Sequence, residues 1–322
     1  MLREVTTSEM TASHSAIHAP LPDLIRLQAD ARALQLPTAR SARSRQAGLR
    51  KSPQKGRGMV FSEVRQYQPG DDIRSIDWRV TARRQAPHTK LYDEERERPV
   101  LLLCDLGPTL FFASTGAYKQ VRCAQAAAIL AWLAFWAGDQ VGGIVFNGQR
   151  LSVLRPARRK NAVLRLLDAL ADRQYTPDDP PDPDTPADTA GLNQALIEAR
   201  RVAHTGNRIV ILSDFLGLTE DTPRLLGSLA RHNPVTALRI QDPLERRLPE
   251  RGRYAVATAT GPLWFDAGNP SFQRAWQAKV EAHEARLASC FRTSGVAHAN
   301  LATGDEPAGA LRPLLGPGGR IG

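Results

Sequence analysis

The sequence predicts an α/β fold, a doubly wound and mostly parallel sheet of Rossmann type, with a small β-rich subdomain before it. Strand-like apolar runs alternate with helical patterns from Val100 onward, which is typical of a doubly wound sheet. Two of these runs, VLLLCDL and RIVILSDF, have a continuous apolar stretch followed by an aspartate near the end, as expected of strands that are buried on both faces.

The first half of the predicted sheet lies between residues 100 and 175. VLLLCDL is predicted to be a buried strand, YKQVRCAQAAAILAWLAFWAG a helix that is apolar nearly all round, and QVGGIVF the next strand. RLSVLRP pairs with that strand or lies at the sheet edge. RRKNAVLRLLDALADR then has the apolar spacing of an amphipathic helix.

The second half continues the alternation after a loop. The segment Thr176–Asp188 is rich in proline and aspartate, and it cannot form a helix or a central strand. Helix AGLNQALIEARRVAH, strand RIVILSDF, helix DTPRLLGSLARH and strand PVTALRI follow. A hairpin-like stretch, YAVATATGPLWFDAG, precedes a long helix from Ser271 to about Arg292, the strand VAHANLAT and a short C-terminal helix.

The pattern divides the chain into three parts. Residues 1–55 are predicted to be a mobile N-terminal arm with one helix, LPDLIRLQADARALQL, and a basic linker. Residues 56–99 contain short extended pieces and form the small β-rich subdomain. Residues 100–322 form the large domain.

The positive charge of the chain is concentrated in one segment. The net charge is +10, and the segment from Arg26 to Gly58 has nine Lys or Arg residues and one acid, which is +8 of that total. Such an arm can bind nucleic acid through phosphates, but it contains no Phe, Tyr or Trp for base stacking. A solvated linker is therefore favoured, and nucleic-acid binding is the alternative.

The cysteines and the apolar runs indicate a soluble cytoplasmic protein. Cys104, Cys123 and Cys290 are far apart and form no CxxC pair, which favours a reducing compartment and thiols that pack as small hydrophobic groups. The longest apolar run, Ala126 to Gly138, is too short to cross a bilayer. No membrane insertion is expected.

Two aspartates mark the expected ligand site of the sheet. Asp105 and Asp214 follow buried strands, and the carboxyl ends of parallel strands meet at one edge, where doubly wound folds bind ligands. With hydroxyl groups from neighbouring loops, two carboxylates could hold Mg²⁺, which prefers oxygen ligands.

The motifs CDLGPT and ILSDF resemble the metal-ion-dependent adhesion site of a von Willebrand factor A domain. GRGMVFSEVRQYQPGDDIRSIDWRVTARR and LRIQDPLERRLPERGRYAVAT are similar to the bacterial domain-of-unknown-function family fifty-eight, and this resemblance covers about Arg50 to Leu315. It implies an A-like domain that partners a MoxR-type AAA+ ATPase in chaperone-like or complex-maturation roles.

The resemblance at the metal site is incomplete. The A-domain pattern is Asp-x-Ser-x-Ser, then a Thr on a second loop, then an Asp. This chain keeps Asp105, Thr109 and Asp214 as implied metal ligands. Gly107 replaces the first Ser, and Ala190 falls at the Thr position with Thr189 beside it. The degenerate set favours the absence of a metal over a Mg²⁺ or Mn²⁺ site.

The polar stretch QYQPGDDIRSIDWRVTARR, Gln66 to Arg84, interleaves acids, arginines and a tryptophan. Arg–Asp pairs fix orientation well, and a tryptophan supplies buried area. We interpret the stretch as a charge-paired brace, anchored by Trp78, between the subdomain and the large domain, and docking of a partner on this face is the alternative. The residues assigned to the brace are Asp71, Asp72, Arg74, Asp77, Trp78, Arg79, Arg83 and Arg84.

Three functions are consistent with these patterns. The favoured one is a non-catalytic interaction or adaptor protein, because no HExxH, G-x-S-x-G or acid–base dyad with a nucleophile occurs. Nucleic-acid binding through the basic arm is the second. The third is a metal-dependent hydrolase centred on Asp105 and Asp214, which lacks an evident base.

Overall fold

The structure is a computed structural model that describes residues 16–35, 51–52, 59–68, 71, 73–84, 86–94, 99–182, 189–258 and 261–315. The chain divides into two compact units. One consists of Met1–Leu36 together with Pro99–Gly322, and the other of Pro37–Arg98.

The larger unit is built on a six-stranded sheet, which confirms the predicted fold class. Its strands are β4 (Val100–Asp105), β5 (Val141–Phe146), β6 (Leu151–Ala157), β7 (Arg208–Ser213), β8 (Val235–Gln241) and β11 (Ala297–Ala302). They lie in the order β11-β8-β7-β4-β5-β6, and every neighbouring pair is parallel except β5 and β6. Counted from β4 as the first strand, this is the doubly wound order 3-2-1-4-5-6, with an antiparallel third strand at the edge.

Helices cover both faces of this sheet. They are α4 (Lys119–Trp136), α5 (Lys160–Asp172), α6 (Thr189–Val202), α7 (Thr222–Ala230), the short α8 (Pro243–Arg246), α9 (Pro270–Ser294) and the short α10 (Pro307–Leu311). Strand β4 shows why helices cover the sheet on both faces. Leu102 and Cys104 pack with α4 and α5, whereas Leu101 and Leu103 pack with α6, α7 and α9, because successive side chains of a strand point to opposite faces.

The predicted hairpin precedes the long helix. Strands β9 (Arg253–Thr258) and β10 (Gly261–Asp266) pair antiparallel, and Asn269 caps α9 by accepting from the amides of Ser271 and Phe272. The helix ends at Gly295, whose φ of 68° is the left-handed conformation that glycine adopts without strain.

The N-terminal helix predicted within a mobile arm is instead part of the large unit. Two short helices, α1 (Leu21–Arg26) and α2 (Gln28–Gln35), bury Leu24 and Ala31 completely in the core formed with α4 and α5. The segment before them is also fixed, because Gln174 exchanges two hydrogen bonds with the backbone of Ala19, at 2.9 and 3.0 Å. Residues 36–50 and 53–58 of the linker lie outside the described residues.

The smaller unit contains a three-stranded antiparallel sheet. Its strands are β1 (Lys51–Ser52), β2 (Met59–Gln66) and β3 (His88–Glu94), in the order β1-β3-β2. Between β2 and β3 the chain forms a 3₁₀ turn, Ile73–Ser75, and one helix, α3 (Trp78–Arg84), where the sequence predicted only a connection.

No helix in the described ranges is both long enough and apolar enough to cross a membrane. In the Pro/Asp-rich loop, residues 176–182 form neither a helix nor a strand, as predicted. Residues 183–188 of the loop lie outside the described residues.

Candidate functional site

The two predicted aspartates meet at one edge of the sheet. Strands β4 and β7 are parallel neighbours with Cys104 opposite Leu212, so both chains deliver their next residues to the same end of the sheet. Asp105, Asp214 and Thr109 all line one small cavity there, which encloses about 10 Å³. That is room for about one water molecule.

Both carboxylate oxygens of Asp105 accept hydrogen bonds from the chain itself. The Gly107 amide donates to Oδ1 at 2.9 Å, and the Ser213 hydroxyl donates to Oδ2 at 2.6 Å. Burial of this carboxyl, and then the nearby carboxylate of Asp214, raise its pKa to about 7. Asp105 therefore loses its proton at a much higher pH than an ordinary aspartate does.

The pKa of Asp214 is shifted in the opposite direction. Burial acts to raise its pKa, but the ammonium of Lys119 outweighs burial, and the pKa lies below its ordinary value. The Lys119 Nζ donates to Oδ2 at 2.9 Å, and the Leu216 amide donates to Oδ1 at 3.1 Å. The Thr109 hydroxyl also hydrogen-bonds to this carboxylate. Asp214 is therefore the ionised member of the aspartate pair.

Lys119 is the residue of this site that sequence reasoning missed. Its side chain is fully buried, and its Nζ also donates to Oε1 of Glu245, on helix α8. Burial acts to lower its pKa, but Asp214 and then Glu245 raise the pKa above its ordinary value, so the ammonium stays charged. Lys119 is the first residue of α4, where the helix dipole disfavours a cation. The position alone gives no sequence signal, because Lys160 begins helix α5 in the same way and is exposed.

A second buried acid, Asp242, organises the loops around Lys119. It accepts from the amide and hydroxyl of Ser114, at 2.7 and 2.5 Å, from the Thr303 hydroxyl at 2.7 Å and from the Leu244 amide at 2.8 Å. Glu245 in turn accepts from the Asp242 amide at 3.0 Å, which completes a capping box at the start of α8. The spacing Asp-x-x-Glu in QDPLE was the sequence signal for this pair.

The residues present do not fit a divalent cation of the kind that the A-domain resemblance implies. Mg²⁺ needs about six oxygen ligands in near-octahedral geometry. Here each carboxylate oxygen of Asp105 and Asp214 already accepts from a donor within the chain, and Gly107 contributes an N–H rather than a hydroxyl. Among the described residues, no group of three or more His, Cys, Asp or Glu side chains forms a metal site.

The side chains expected on the second A-domain loop cannot be placed. Thr189 and Ala190 begin helix α6, and their side chains lie outside the described part of the chain. The carboxylates and Thr109 are thus the predicted ligands that the structure brings together.

The proposed brace is organised locally, and Trp78 does not anchor it. Asp71 accepts from Arg65 at 2.8 Å, and Asp77 caps helix α3 by accepting from the Arg79 and Val80 amides at 3.0 and 3.3 Å. The Trp78 side chain is 68% exposed, so the prediction that it supplies buried area is wrong. Four other side chains assigned to the brace also lie at the surface, those of Arg74, Arg79, Arg83 and Arg84. Asp72 lies outside the described residues, and the bridging role stays a prediction.

The cysteines pack as predicted. Cys104, Cys123 and Cys290 are buried free thiols. Burial raises the pKa of the Cys123 thiol well above its ordinary value, so it stays neutral and unreactive.

Comparison with solved structures gives matches of low similarity. A conserved hypothetical protein BatB from Bacteroides thetaiotaomicron is 13% identical, with a TM-score of 0.40, over 67% of this chain and 96% of its own. An aerotolerance-related membrane protein from Bacteroides fragilis is also 13% identical, with a TM-score of 0.41 over the same shares. A von Willebrand factor type A protein from Catenulispora acidiphila is 12% identical, with a TM-score of 0.33, over 47% of this chain and 35% of its own.

Sequence relatives are closer. Uncharacterized proteins of Mycobacterium bovis and Mycobacterium tuberculosis are 30% identical over 254 residues, which is 77% of this chain and 76% of theirs. The model of the family described as Protein of unknown function DUF58 matches residues 63–286. That match spans part of the smaller unit and most of the sheet with its Lys119–Asp214 pair, and the chain therefore belongs to the DUF58 family.

Proposed function

We propose that this protein is a non-catalytic interaction protein that binds a partner protein at the sheet edge carrying Lys119 and Asp214. The partner in this proposal is a MoxR-type AAA+ ATPase, which the family resemblance of the sequence implies, and the complex serves a chaperone-like or maturation role in the cytoplasm. The observation that carries the proposal is a pair of exposed apolar side chains, Phe112 and Leu216, on the two loops that hold the buried ion pair.

The two side chains are tied to the ion pair through the backbone. Phe112 accepts a hydrogen bond from the Lys119 amide at 3.0 Å, and Leu216 donates its amide to Asp214 at 3.1 Å. Phe112 is 38% exposed and Leu216 is 40% exposed. Exposed large apolar side chains on rigidly held loops are typical anchors of protein interfaces.

The same geometry argues against a hydrolase. A metal-dependent hydrolase needs a cation with an open coordination position for water or substrate. The carboxylates of Asp105 and Asp214 instead accept from internal donors, and the cavity between them has room for about one water. Loss of phosphoesterase turnover in Asp105→Ala, if such turnover exists, is the outcome that would favour the hydrolase.

Capture of the ATPase tests the proposal. The full chain is immobilised and incubated with a purified MoxR-type ATPase, with the double variant Phe112→Ser/Leu216→Ser beside the wild type. Loss of two apolar anchors should weaken binding roughly 10–100-fold while the melting temperature changes little. The matched control is Val153→Ser, which removes a side chain of similar exposure, 37%, from the edge strand β6. Equal binding by the wild type and the double variant would refute the docking site.

The basic arm supplies the discriminating control. Because α1 and α2 pack into the core, deleting residues 1–55 would damage the fold, so the arginines are replaced instead. A variant with glutamine at Arg40, Arg43, Arg45 and Arg50 should bind the ATPase as the wild type does. Salt-sensitive binding of RNA or DNA that this variant loses, without ATPase capture by either protein, would favour the nucleic-acid alternative.

A further inference from the structure

A cationic side chain of the protein lies between the carboxylates of Asp214 and Glu245. Lys119 Nζ lies 2.9 Å from Asp214 Oδ2 and also donates to Glu245. The lysine side chain has no exposed surface, and that of Asp214 is 4% exposed. A charge buried this completely is retained only when its partners surround it.

The carboxylates of Asp214 and Glu245 already have a cationic partner within the chain. Both lie in salt-bridge contact with the Lys119 ammonium. The positive end of the α4 helix dipole also lies next to these groups, because Lys119 is the first residue of that helix. An added divalent cation would meet an ammonium group within the same cluster, and the repulsion between two cations in a buried site is large.

We infer that Lys119 is the built-in cation of this site, and that its ammonium takes the place of a divalent ion. The inference deepens the proposed function, on which its biological meaning rests: partner binding at this edge is independent of divalent metal. It also predicts how the chain and its Lys119 variant bind metal in the absence of any partner. Removal of the ammonium leaves the carboxylates of Asp214 and Glu245 facing the vacated space, and carboxylate oxygens are the ligands that Mg²⁺ and Mn²⁺ prefer.

Mn²⁺ binding tests the inference on the full chain. Free Mn²⁺ is measured by electron paramagnetic resonance during titration of the wild type, Lys119→Ala and Lys160→Ala. Lys160 is the matched control because it is also the first residue of a helix, α5, but is exposed. We expect no saturable one-to-one binding by the wild type or the control, and one bound ion per chain in Lys119→Ala. In the double variant Lys119→Ala/Asp214→Asn the bound ion should be lost.

Thermal unfolding gives an independent readout. Mn²⁺ at about 100-fold above its Kd should raise the melting temperature of Lys119→Ala by roughly 5 °C or more, because it binds the folded state alone. The melting temperature of the wild type should be the same in Mg²⁺ and in EDTA. If Lys119→Ala does not fold, the more conservative Lys119→Met is titrated in its place, and stoichiometric Mn²⁺ binding by the wild type would still overturn the inference.

Two results would overturn the inference. One is stoichiometric Mn²⁺ binding by the wild type that Asp214→Asn abolishes. The other is a folded Lys119→Ala that binds no more Mn²⁺ than the wild type does. Capture of the ATPase in EDTA is measured separately, so a failure to bind any ATPase would count against the proposed function and leave the metal result standing.

Discussion

Breaking the buried ion pair by Lys119→Met is expected to be one of the most destabilising single changes in the large unit. Methionine keeps most of the lysine's volume but leaves the Asp214 carboxylate buried with the Leu216 amide and the Thr109 hydroxyl as its donors. Removing one partner of a buried pair costs about 3–5 kcal/mol, because the remaining charge is uncompensated. The free energy of unfolding is measured by urea denaturation, followed by circular dichroism and tryptophan fluorescence.

A double-mutant cycle separates the charge effect from a packing effect. Asp214→Asn alone leaves the ammonium with one carboxylate, that of Glu245, and should also be destabilising. The double variant Lys119→Met/Asp214→Asn removes both charges, so its cost should be lower than the sum of the single costs by about 2 kcal/mol or more. Additive costs would contradict the reasoning, because they would mean that the two side chains do not stabilise each other.

The control for this cycle is Lys160→Met. Lys160 begins helix α5 as Lys119 begins α4, but its side chain is exposed. A change at such a position should stay within about 0.5 kcal/mol of the wild type. A cost for Lys119→Met that is no larger than this would refute the assignment of a buried, charge-paired lysine.

Three further predictions follow from other contacts. The pKa of Asp105 in the folded protein, about 7, lies above its ordinary value of 3.8, so the contribution of this carboxyl to stability is lost as the pH rises from about 4 to 7. Asp105→Asn should lack this loss, and parallel pH profiles of the two proteins in urea unfolding would contradict it. Asp242→Asn should cost about 1–3 kcal/mol, because it replaces one of the acceptor oxygens that bind Ser114 and Thr303, and should speed proteolysis of the loop before α4. Leu24→Ala should lower stability by about 2–4 kcal/mol in the same urea assay, whereas a change near zero would show that α1 is not packed in the core.

The sheet could be predicted because its signals are local. Strand β4 is fully buried from Val100 to Cys104, and its sequence VLLLC has no polar interruption. The edge strand β6 alternates partly buried and exposed residues, which fits its pairing with one neighbour. Such patterns depend on a strand's own environment and not on distant contacts.

The role of the N-terminal helices could not be read in the same way. LPDLIRLQADARALQL predicts an apolar stripe, but the stripe does not say which surface covers it. The basic linker after it favoured a mobile arm, whereas Leu24 and Ala31 pack against helices that begin 88 or more residues later in the chain. Trp78 shows the opposite error, since a tryptophan between isoleucines and arginines suggested burial and the side chain is exposed.

At the site, the aspartates were predictable and the lysine was not. Asp105 and Asp214 follow apolar strands, so their shared edge follows from the topology. Lys119 is separated by 95 residues from Asp214 and by 126 from Glu245, and no local pattern indicates that these three segments converge. Its burial depends on the whole tertiary arrangement of the loops.

Gly107 and Lys119 each donate a hydrogen bond to one of the two aspartates. A Cβ at position 107 would lie 3.0 Å from Asp105 Oδ1, so glycine allows the close N–H contact that a serine would crowd. Lys119 likewise supplies the donor that Asp214 Oδ2 would otherwise lack. Gly107, in place of the serine of the A-domain pattern, and the ammonium of Lys119 therefore both satisfy carboxylate oxygens from within the chain. With those oxygens satisfied internally, the proposed recognition of a partner depends on side chains at the rim rather than on coordination by a bound ion.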